Sequence, residues 1–147
     1  MMLGLCLLGI GLQAQGVVRW SFSAKKLSAT EAVLCMKANI GGAWHLYSVN
    51  QPEGGPMKTS FTFEPSADYV LVGKVTEPKP KSMFDQNFGI EVLYFEKEVV
   101  FEQRVKILRK ALDDKSALVI KGKVEFMACD DSQCLPPEEK EFSITVK

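Results

Sequence analysis

The segment Glu31-Ala32-Val33-Leu34-Cys35-Met36-Lys37-Ala38-Asn39-Ile40 decides the fold class. Every second residue in it, from Ala32 to Ile40, is apolar. A period of two is typical of a β-strand that buries one face. The segment Val99–Ile107 has the same period, with Gln103 as the one polar residue on its otherwise apolar face. Two such segments predict a sheet that packs on a core through one face only.

The rest of the chain repeats this pattern in short runs of β-branched and aromatic residues, separated by Gly, Pro, Asn and Asp. Such runs are typical of strands joined by turns. We therefore predict an all-β fold, an immunoglobulin-like antiparallel β-sandwich of nine strands. The predicted strands are Val17–Ala24, Glu31–Ile40, Trp44–Val49, Lys58–Phe63, Tyr69–Val75, Ile90–Phe95, Val99–Ile107, Ala117–Ala128 and Glu141–Val146. Pro78–Lys81 is predicted as an exposed loop, and only Val105–Asp114 could hold a helical turn.

Length and charge limit the classes of function. The chain has 147 residues, of which 46% are hydrophobic, which is enough for one domain with its own core. Its 18 basic and 18 acidic residues give a net charge of zero. Because a nucleic-acid surface needs a basic excess, we expect no nucleic-acid partner. The same balance gives no reason to expect a polybasic membrane patch.

The N-terminus is apolar from Met1 to Leu12, and the first charged side chain is Arg19. A run of about a dozen apolar residues is too short to span a bilayer but suits a secretory signal peptide. We predict a signal peptide over residues 1–15, with a buried N-terminal strand as the alternative, and one domain over residues 16–147. After removal of the leader, this domain would not span the membrane. Disulfides are expected in an exported protein.

Two cysteines near the C-terminus are the most informative chemical feature. The segment reads Cys129-Asp-Asp-Ser-Gln-Cys134-Leu-Pro-Pro, and the pair flanks a predicted hairpin loop. A bridge across so short a loop gains roughly 2 kcal/mol in the chain-entropy model, so a purely structural role is less attractive but stays open. Cys35, the third cysteine of the predicted domain, would be a small buried hydrophobe with a free thiol.

The residues around the pair distinguish its two sulfurs. Asp130 and Asp131 stand beside Cys129 and disfavour a thiolate there, whereas Cys134 lies farther from the acids. We therefore predict that Cys134 is the sulfur that meets a partner in thiol–disulfide exchange. Pro136-Pro137 has no amide hydrogens and would fix the direction of the chain that leaves Cys134.

Neither a metal site nor a cysteine hydrolase is predicted. Structural zinc needs four ligands, and the two cysteines with His45, the only histidine, supply three at most. A hydrolase would need His45 beside an activated cysteine, and nothing in the sequence places it there. We predict that His45 is a strand residue with a hydrogen-bonded ring, and that no cofactor is bound.

The segment from Cys129 to Glu138 resembles the active site of the N-terminal periplasmic domain of DsbD-type protein-disulfide reductases. That family carries a cysteine pair followed by an aromatic or apolar residue, Pro-Pro and Glu. Gly42–Ser48 is similar to the family's aromatic strand near the site, and Phe84–Glu91 to its cap loop. The resemblance covers most of residues 17–147 and implies an immunoglobulin-like sandwich, in agreement with the strand pattern.

The resemblance also implies an activity, partners and a compartment. The pair would take electrons from a thioredoxin-like domain of a membrane reductase. It would pass them to a disulfide isomerase or another oxidised protein of the bacterial periplasm. Cys134 would form the mixed disulfide with the partner, and Cys129 would resolve it.

By the same resemblance, the cap loop would cover the sulfurs until a partner displaces it. The residues implied as the shield are Phe84, Asp85, Gln86 and Phe88, and those implied as support for the site are Trp44, Tyr47, Pro136 and Pro137. Two features depart from the family pattern. The four residues between the cysteines are one fewer than in the best-known members, and Asn87 stands where an aromatic residue is expected.

A second function remains open on the residues alone. The chain could be a non-catalytic β-sandwich that binds a partner and carries a structural hairpin disulfide. Trp44 and Tyr47 would then lie in the binding face, or they would be ordinary core residues.

Overall fold

The computed structural model of the protein describes residues 16–108 and 117–147. Within these residues, eleven strands form three antiparallel sheets, which confirms the predicted all-β class. The strands are β1 (Val18–Lys26), β2 (Glu31–Ile40), β3 (His45–Tyr47), β4 (Ser60–Phe63), β5 (Tyr69–Thr76), β6 (Lys81–Asp85), β7 (Ile90–Phe95), β8 (Glu98–Ile107), β9 (Leu118–Phe126), β10 (Ala128–Cys129) and β11 (Glu138–Val146). No helix in this part of the chain is long and apolar enough to cross a membrane.

The three sheets share one apolar core. Sheet A has the order β1-β2-β8-β5, sheet B the order β10-β3-β7-β6, and sheet C the order β11-β9-β4. Trp20 of sheet A meets Phe61 and Phe126 of sheet C edge to face, at ring-centroid distances of 5.7 and 5.5 Å. Phe101 of sheet A meets Phe95 of sheet B in the same way at 5.8 Å. Sheets B and C therefore both pack on sheet A, which gives a sandwich.

The two segments with clear period-two patterns lie at the centre of sheet A, where β2 pairs with β8. Their inner faces are buried as predicted: in β2 the alternate residues from Ala32 to Ile40, and in β8 those from Val99 to Ile107. Cys35 lies on the outer face of β2 and is half-buried and free, so the prediction of a buried cysteine was wrong.

Gln103 is the one polar residue on the inner face of β8, and its hydrogen bonds explain its burial. Its Nε2 donates to the carbonyls of Val72 and Gly73 at 3.3 and 3.2 Å, and to its neighbour Arg104 at 2.8 Å. These carbonyls belong to the point where the pairing of β5 with β8 shifts register, and Gly73 has a φ of 73° there. Gln103 thus satisfies backbone groups that the bulge leaves unpaired.

Most predicted strands are present with shifted ends, and two departures concern β6 and the strand predicted over Ala117–Ala128. β6 was not among the predicted strands, because it is a short edge strand with an exposed, non-alternating sequence. Its first residue fell in the predicted loop Pro78–Lys81, and its last two fell in the cap loop that the resemblance implied. The predicted strand Ala117–Ala128 is divided into β9 and β10, which lie in different sheets. β8 occupies the start of the predicted helical turn, and residues 109–114 of that turn lie outside the described residues. The predicted signal peptide, residues 1–15, lies outside them as well.

Gly122 of β9 is required by the packing of sheet C. It pairs with Phe142 of β11, and a Cβ atom there would lie 2.3 Å from the Thr62 carbonyl oxygen and 2.6 Å from the Phe142 ring. Because the carbonyl belongs to a paired strand, we expect Gly122→Ala to lower the free energy of unfolding by about 1–3 kcal/mol in urea. Gly41→Ala is the control, since its Cβ would meet nothing closer than 3.5 Å. An equal loss in both variants would contradict this explanation.

Candidate functional site

Cys129 and Cys134 are joined by a disulfide at the end of sheet B. Cys129 closes β10, and Cys134 stands opposite it as an isolated antiparallel bridge. Between them the chain turns tightly, because the Asp130 backbone N–H donates to the Gln133 carbonyl at 2.8 Å. The predicted hairpin, with the two sulfurs facing each other across its neck, is confirmed.

The Asp130 side chain holds this loop together from inside. Its Oδ1 accepts the backbone N–H groups of Ser132 and Gln133 at 2.9 and 2.8 Å, and the Ser132 hydroxyl at 3.1 Å. The backbone N–H groups are the main cause that lowers the pKa of Asp130 below its ordinary value. A negative charge is therefore fixed beside Cys129, and it opposes a thiolate there.

The two sulfurs differ in access to solvent. Cys129 is only 4% exposed, whereas Cys134 belongs to the exposed surface of the loop. Pro136 and Pro137 are also exposed and separate Cys134 from β11. Cys134 is therefore the more accessible of the two sulfurs to an incoming thiolate, and Cys129 becomes accessible only after a rearrangement. The roles implied by the resemblance remain predictions, and this difference in exposure fits them.

A small apolar cluster lies under Cys129. Its buried members are Tyr47 of β3 and Val92 of β7, at 3% and 2% exposure. Partly buried Tyr94 and Met127 pack against them. Cys129 is thus enclosed by side chains from β3, from β7 and from Met127 just before β10, which leaves it 4% exposed.

Tyr47 and Asp85, which the resemblance implied as support and cap, are brought together here. Burial raises the pKa of Tyr47 to about 12, and the negative charge of Asp85 adds to the shift. The backbone of Tyr47 is held in place by the Thr59 hydroxyl, which donates to its carbonyl at 2.6 Å. Tyr47, which lies under Cys129, and Asp85, at the base of the predicted cap, are therefore close enough to interact electrostatically.

The predicted cap is the turn between β6 and β7. Asp85 pairs with Ile90 at its base, and the Asp85 Oδ1 accepts the N–H groups of Asn87 and Phe88 at 2.8 and 3.3 Å. Gly89 has a φ of 71° and donates its N–H to the Asp85 carbonyl at 2.7 Å. This is a turn that only glycine completes without strain. Its remaining residue, Gln86, is exposed.

The two candidate shielding rings occupy different positions. Phe84 is 63% exposed and pairs with Glu91, whereas Met83 pairs with Val92 of the cluster under Cys129. Since successive side chains of a strand point to opposite faces, Phe84 lies on the face away from Cys129. Phe88 stands in the turn and is 37% exposed. Phe84 is therefore badly placed to cover the sulfurs, and the shielding role of Phe88 stays a prediction.

Trp44, also expected to support the site, packs elsewhere. It is half-buried against the main core shared by the three sheets, and its backbone N–H donates to the Gly41 carbonyl at 3.2 Å just before β3. Its position fits the alternative that it is an ordinary core residue.

The sequence analysis missed the position of His45. In the pairing of β10 with β3, His45 lies directly opposite Cys129. Its Nε2 is 3.8 Å from Glu96 Oε2, and its ring packs on Tyr94 at a centroid distance of 4.4 Å. The strand assignment was right, but nothing in the sequence signalled which strand the end of the hairpin would join. Among the described residues, no group of three or more His, Cys, Asp or Glu side chains could hold a metal ion.

The fold is an immunoglobulin-like antiparallel sandwich, and at the end of its sheet B lies a disulfide with one buried and one exposed cysteine. Residues 13–146 match the family described as "Thiol:disulfide interchange protein DsbD, N-terminal". The chain belongs to this family, and the resemblance noted from its motifs is confirmed.

Solved structures agree on the fold. The N-terminal domain of DsbD from Neisseria meningitidis in the reduced form is similar over 90% of this chain and 87% of that one, at 14% identity and a TM-score of 0.56. The N-terminal periplasmic domain of ScsB from Proteus mirabilis is similar over 88% of this chain and 44% of that one, at 20% identity and a TM-score of 0.54. No curated protein matches the chain in sequence. At these identities the structures establish the immunoglobulin-like fold alone.

The raised pKa of Tyr47 predicts a loss of stability at alkaline pH. Between the ordinary tyrosine pKa of about 10 and the folded value of about 12, the unfolded state has lost this proton and the folded state keeps it. The free energy of unfolding therefore falls as pH rises through this window, by about 1.4 kcal/mol per pH unit for one such group. We expect Tyr47→Phe to remove that part of the fall.

Urea unfolding of both proteins between about pH 9 and pH 11 checks this prediction. Lysines also titrate there, but they are the same in the two proteins, so the difference between the two curves isolates Tyr47. Parallel curves over the whole range would contradict a buried, neutral Tyr47.

Proposed function

We propose that the protein is a periplasmic thiol–disulfide interchange domain. It relays electrons from a thioredoxin-like domain of a membrane reductase to oxidised partners of the disulfide-isomerase type, through Cys129 and Cys134. The observation that carries the proposal is the asymmetric disulfide, with Cys134 exposed and Cys129 4% exposed. Membership of the DsbD N-terminal family supports it, and so does the printed description of the related ScsB domain as periplasmic.

The chemistry starts with the oxidised pair. A thiolate of the reducing partner attacks the Cys134 sulfur, the Cys129–Cys134 bond breaks, and its electron pair stays on Cys129 as a thiolate. A second thiol of the partner, after losing its proton, then attacks the partner's own sulfur in the mixed disulfide and releases Cys134. The partner leaves oxidised, and the pair has gained two electrons and two protons.

The second half of the cycle uses the reduced pair. The Cys134 thiolate attacks a disulfide of the acceptor and forms a mixed disulfide. Cys129 then loses its proton and attacks Cys134, which regenerates the intramolecular bond and releases the acceptor as a dithiol. The buried position of Cys129 suits this resolving role, because a thiolate formed there meets the adjacent Cys134 before it meets solvent.

The turn carrying Phe88 is proposed to limit this chemistry to protein partners. Asp85 fixes the turn through three hydrogen bonds to the chain that follows it, to Asn87, Phe88 and Gly89. A fixed turn can cover the disulfide in the resting protein, and a docking partner can displace it. Small thiols lack the surface to do so.

Trapping the mixed disulfide tests the proposal. Cys129→Ser leaves Cys134 without its resolving partner. The thioredoxin-like donor has its second cysteine replaced by serine and its first cysteine activated as a mixed disulfide with thionitrobenzoate. We expect the Cys134 thiolate to attack the donor's sulfur, release thionitrobenzoate and leave a stable covalent complex. Non-reducing electrophoresis followed by mass spectrometry of the linked peptides would identify the sulfur involved. The double variant Cys129→Ser/Cys134→Ser is the matched control and should trap nothing, because Cys35, the one cysteine it keeps among the described residues, lies in sheet A, outside the disulfide site.

Two outcomes would contradict this function. If Cys134→Ser traps the complex through Cys129 instead, the roles of the two sulfurs are reversed. If neither variant traps, and the wild-type pair has a reduction potential below about −300 mV, the bridge is an inert structural disulfide. The non-catalytic binding domain would then be the better account of the chain.

The proposed shield gives a separate prediction. Phe88→Ala should speed the reduction of the Cys129–Cys134 bond by glutathione several-fold, because the covering ring is lost. Phe84→Ala is the matched control, since Phe84 lies on the opposite face of β6. Quantifying free thiols over time by alkylation measures both rates, and equal rates in the two variants would exclude Phe88 as the shield.

A further inference from the structure

His45 is the described residue best placed to act on the buried sulfur. It pairs with Cys129 across β3 and β10, and residues paired in this way project from the same face of a sheet with Cβ atoms about 5 Å apart. The next pair along, Leu46 with Ala128, points into the main core. The imidazole and the Cys129 sulfur therefore share the outer face of sheet B.

The proposed exchange reaction forms a thiolate on Cys129, which a nearby positive charge would stabilise. When Cys134 is attacked, Cys129 must leave as a thiolate, although it is 4% exposed and lies beside the ionised Asp130. Burial and a neighbouring carboxylate both oppose a thiolate. The hairpin loop between the cysteines contains no Lys, Arg or His to offset them. His45, across the strand, is the nearest group by register that can supply a positive charge.

An ionised carboxylate lies beside the ring of His45. Glu96 Oε2 lies 3.8 Å from its Nε2, and Lys81 bonds the other oxygen of Glu96. This bond is the main cause that lowers the pKa of Glu96, so the carboxylate stays ionised beside the imidazole. The ionisable groups around His45 are Tyr94 and Glu96 on the β7 side, Lys81 on β6, Lys97 after Glu96, and Asp130 beside Cys129.

We propose that His45, as an imidazolium held by Glu96, stabilises the Cys129 thiolate that forms when a partner thiolate attacks Cys134. One sulfur–sulfur bond breaks and one forms; the electron pair goes to Cys129, and the positive charge across the strand offsets it. When the Cys129 thiolate later takes up a proton, His45 can donate it and recover one from solvent. His45 thereby sets the pH dependence of the exchange. The inference rests on the proposed thiol–disulfide exchange at this pair.

The test compares wild type with His45→Phe, which keeps an aromatic ring against Tyr94. The probe is dithiothreitol, a small dithiol, and the measured quantity is the second-order rate constant for reduction of the disulfide from about pH 5.5 to about pH 8.5, the range in which histidine changes charge. We expect wild type to react about fivefold faster at the acidic end. The ratio of the wild-type rate constant to the His45→Phe rate constant should fall toward one at the alkaline end. Because dithiothreitol titrates in the same way in both measurements, its own pH dependence cancels in this ratio.

Two further variants separate charge from structure. Glu96→Gln should move the decline of the rate advantage to lower pH, because the imidazolium loses the carboxylate beside it. Glu98→Gln removes an acid that pairs with Lys37 at 3.3 Å, away from the site, and should leave the profile unchanged. Thermal unfolding of each oxidised variant checks that the fold is retained.

A wild-type to His45→Phe ratio that stays constant with pH would overturn the proposal, since a purely structural role of the ring has no reason to titrate. An unchanged profile in Glu96→Gln would overturn the part given to Glu96. The outcome is independent of the proposed partners. If no variant traps a thioredoxin-like donor and the pair has a reduction potential below about −300 mV, the proposed function fails. The ratio of the dithiothreitol rates still decides the role of His45.

Discussion

The burial of one row of side chains fixes the whole site. Ala128 pairs with Leu46, and Leu46 with Phe95, so the row crosses three strands of sheet B and all three side chains enter the main core. Because side chains alternate along each strand, the residues next to this row must emerge on the other face. Cys129 and Tyr47 are such residues. A slip of one residue in β3 would exchange the two faces, so the register that stabilises the core also determines which groups surround the disulfide.

This constraint makes the two cysteines unequal although they are chemically identical. Cys129 belongs to a strand whose face is set by the core, and it is enclosed by Tyr47 and Val92. Cys134 belongs to a loop shaped by Asp130 and followed by two prolines, so the core places no demand on it. The Cys129 sulfur is therefore fixed in a buried position, and Cys134 is exposed to solvent. An exchange centre needs this difference, because the attacked sulfur must be accessible and the leaving sulfur must stay close enough to return.

How far the sequence predicts such a molecule depends on the range of the interactions involved. The period of two in β2 and β8 is local and strong, and it predicted both strands and their buried faces. The hairpin at Cys129 was likewise predictable, because turn and cysteines lie within a few residues. β6 was missed, since an exposed edge strand has no buried face to produce a pattern. The position of His45 opposite Cys129 was missed because it follows from the pairing of two strands some eighty residues apart in the printed sequence, which no local signal encodes.

The Cys129–Cys134 disulfide contributes little to the stability of the fold, so its reduction costs the protein little. A bridge over so few residues removes little entropy from the unfolded chain. The strands on either side are held by other means: β11 pairs with β9 along its whole length, and β10 is anchored by Ala128 in the main core. Opening the Cys129–Cys134 bond therefore leaves the sandwich in place and releases only the loop between them. A protein whose fold relied on this bond could not reduce it in each cycle of the proposed reaction, whereas here the main core and the disulfide lie on opposite faces of sheet B.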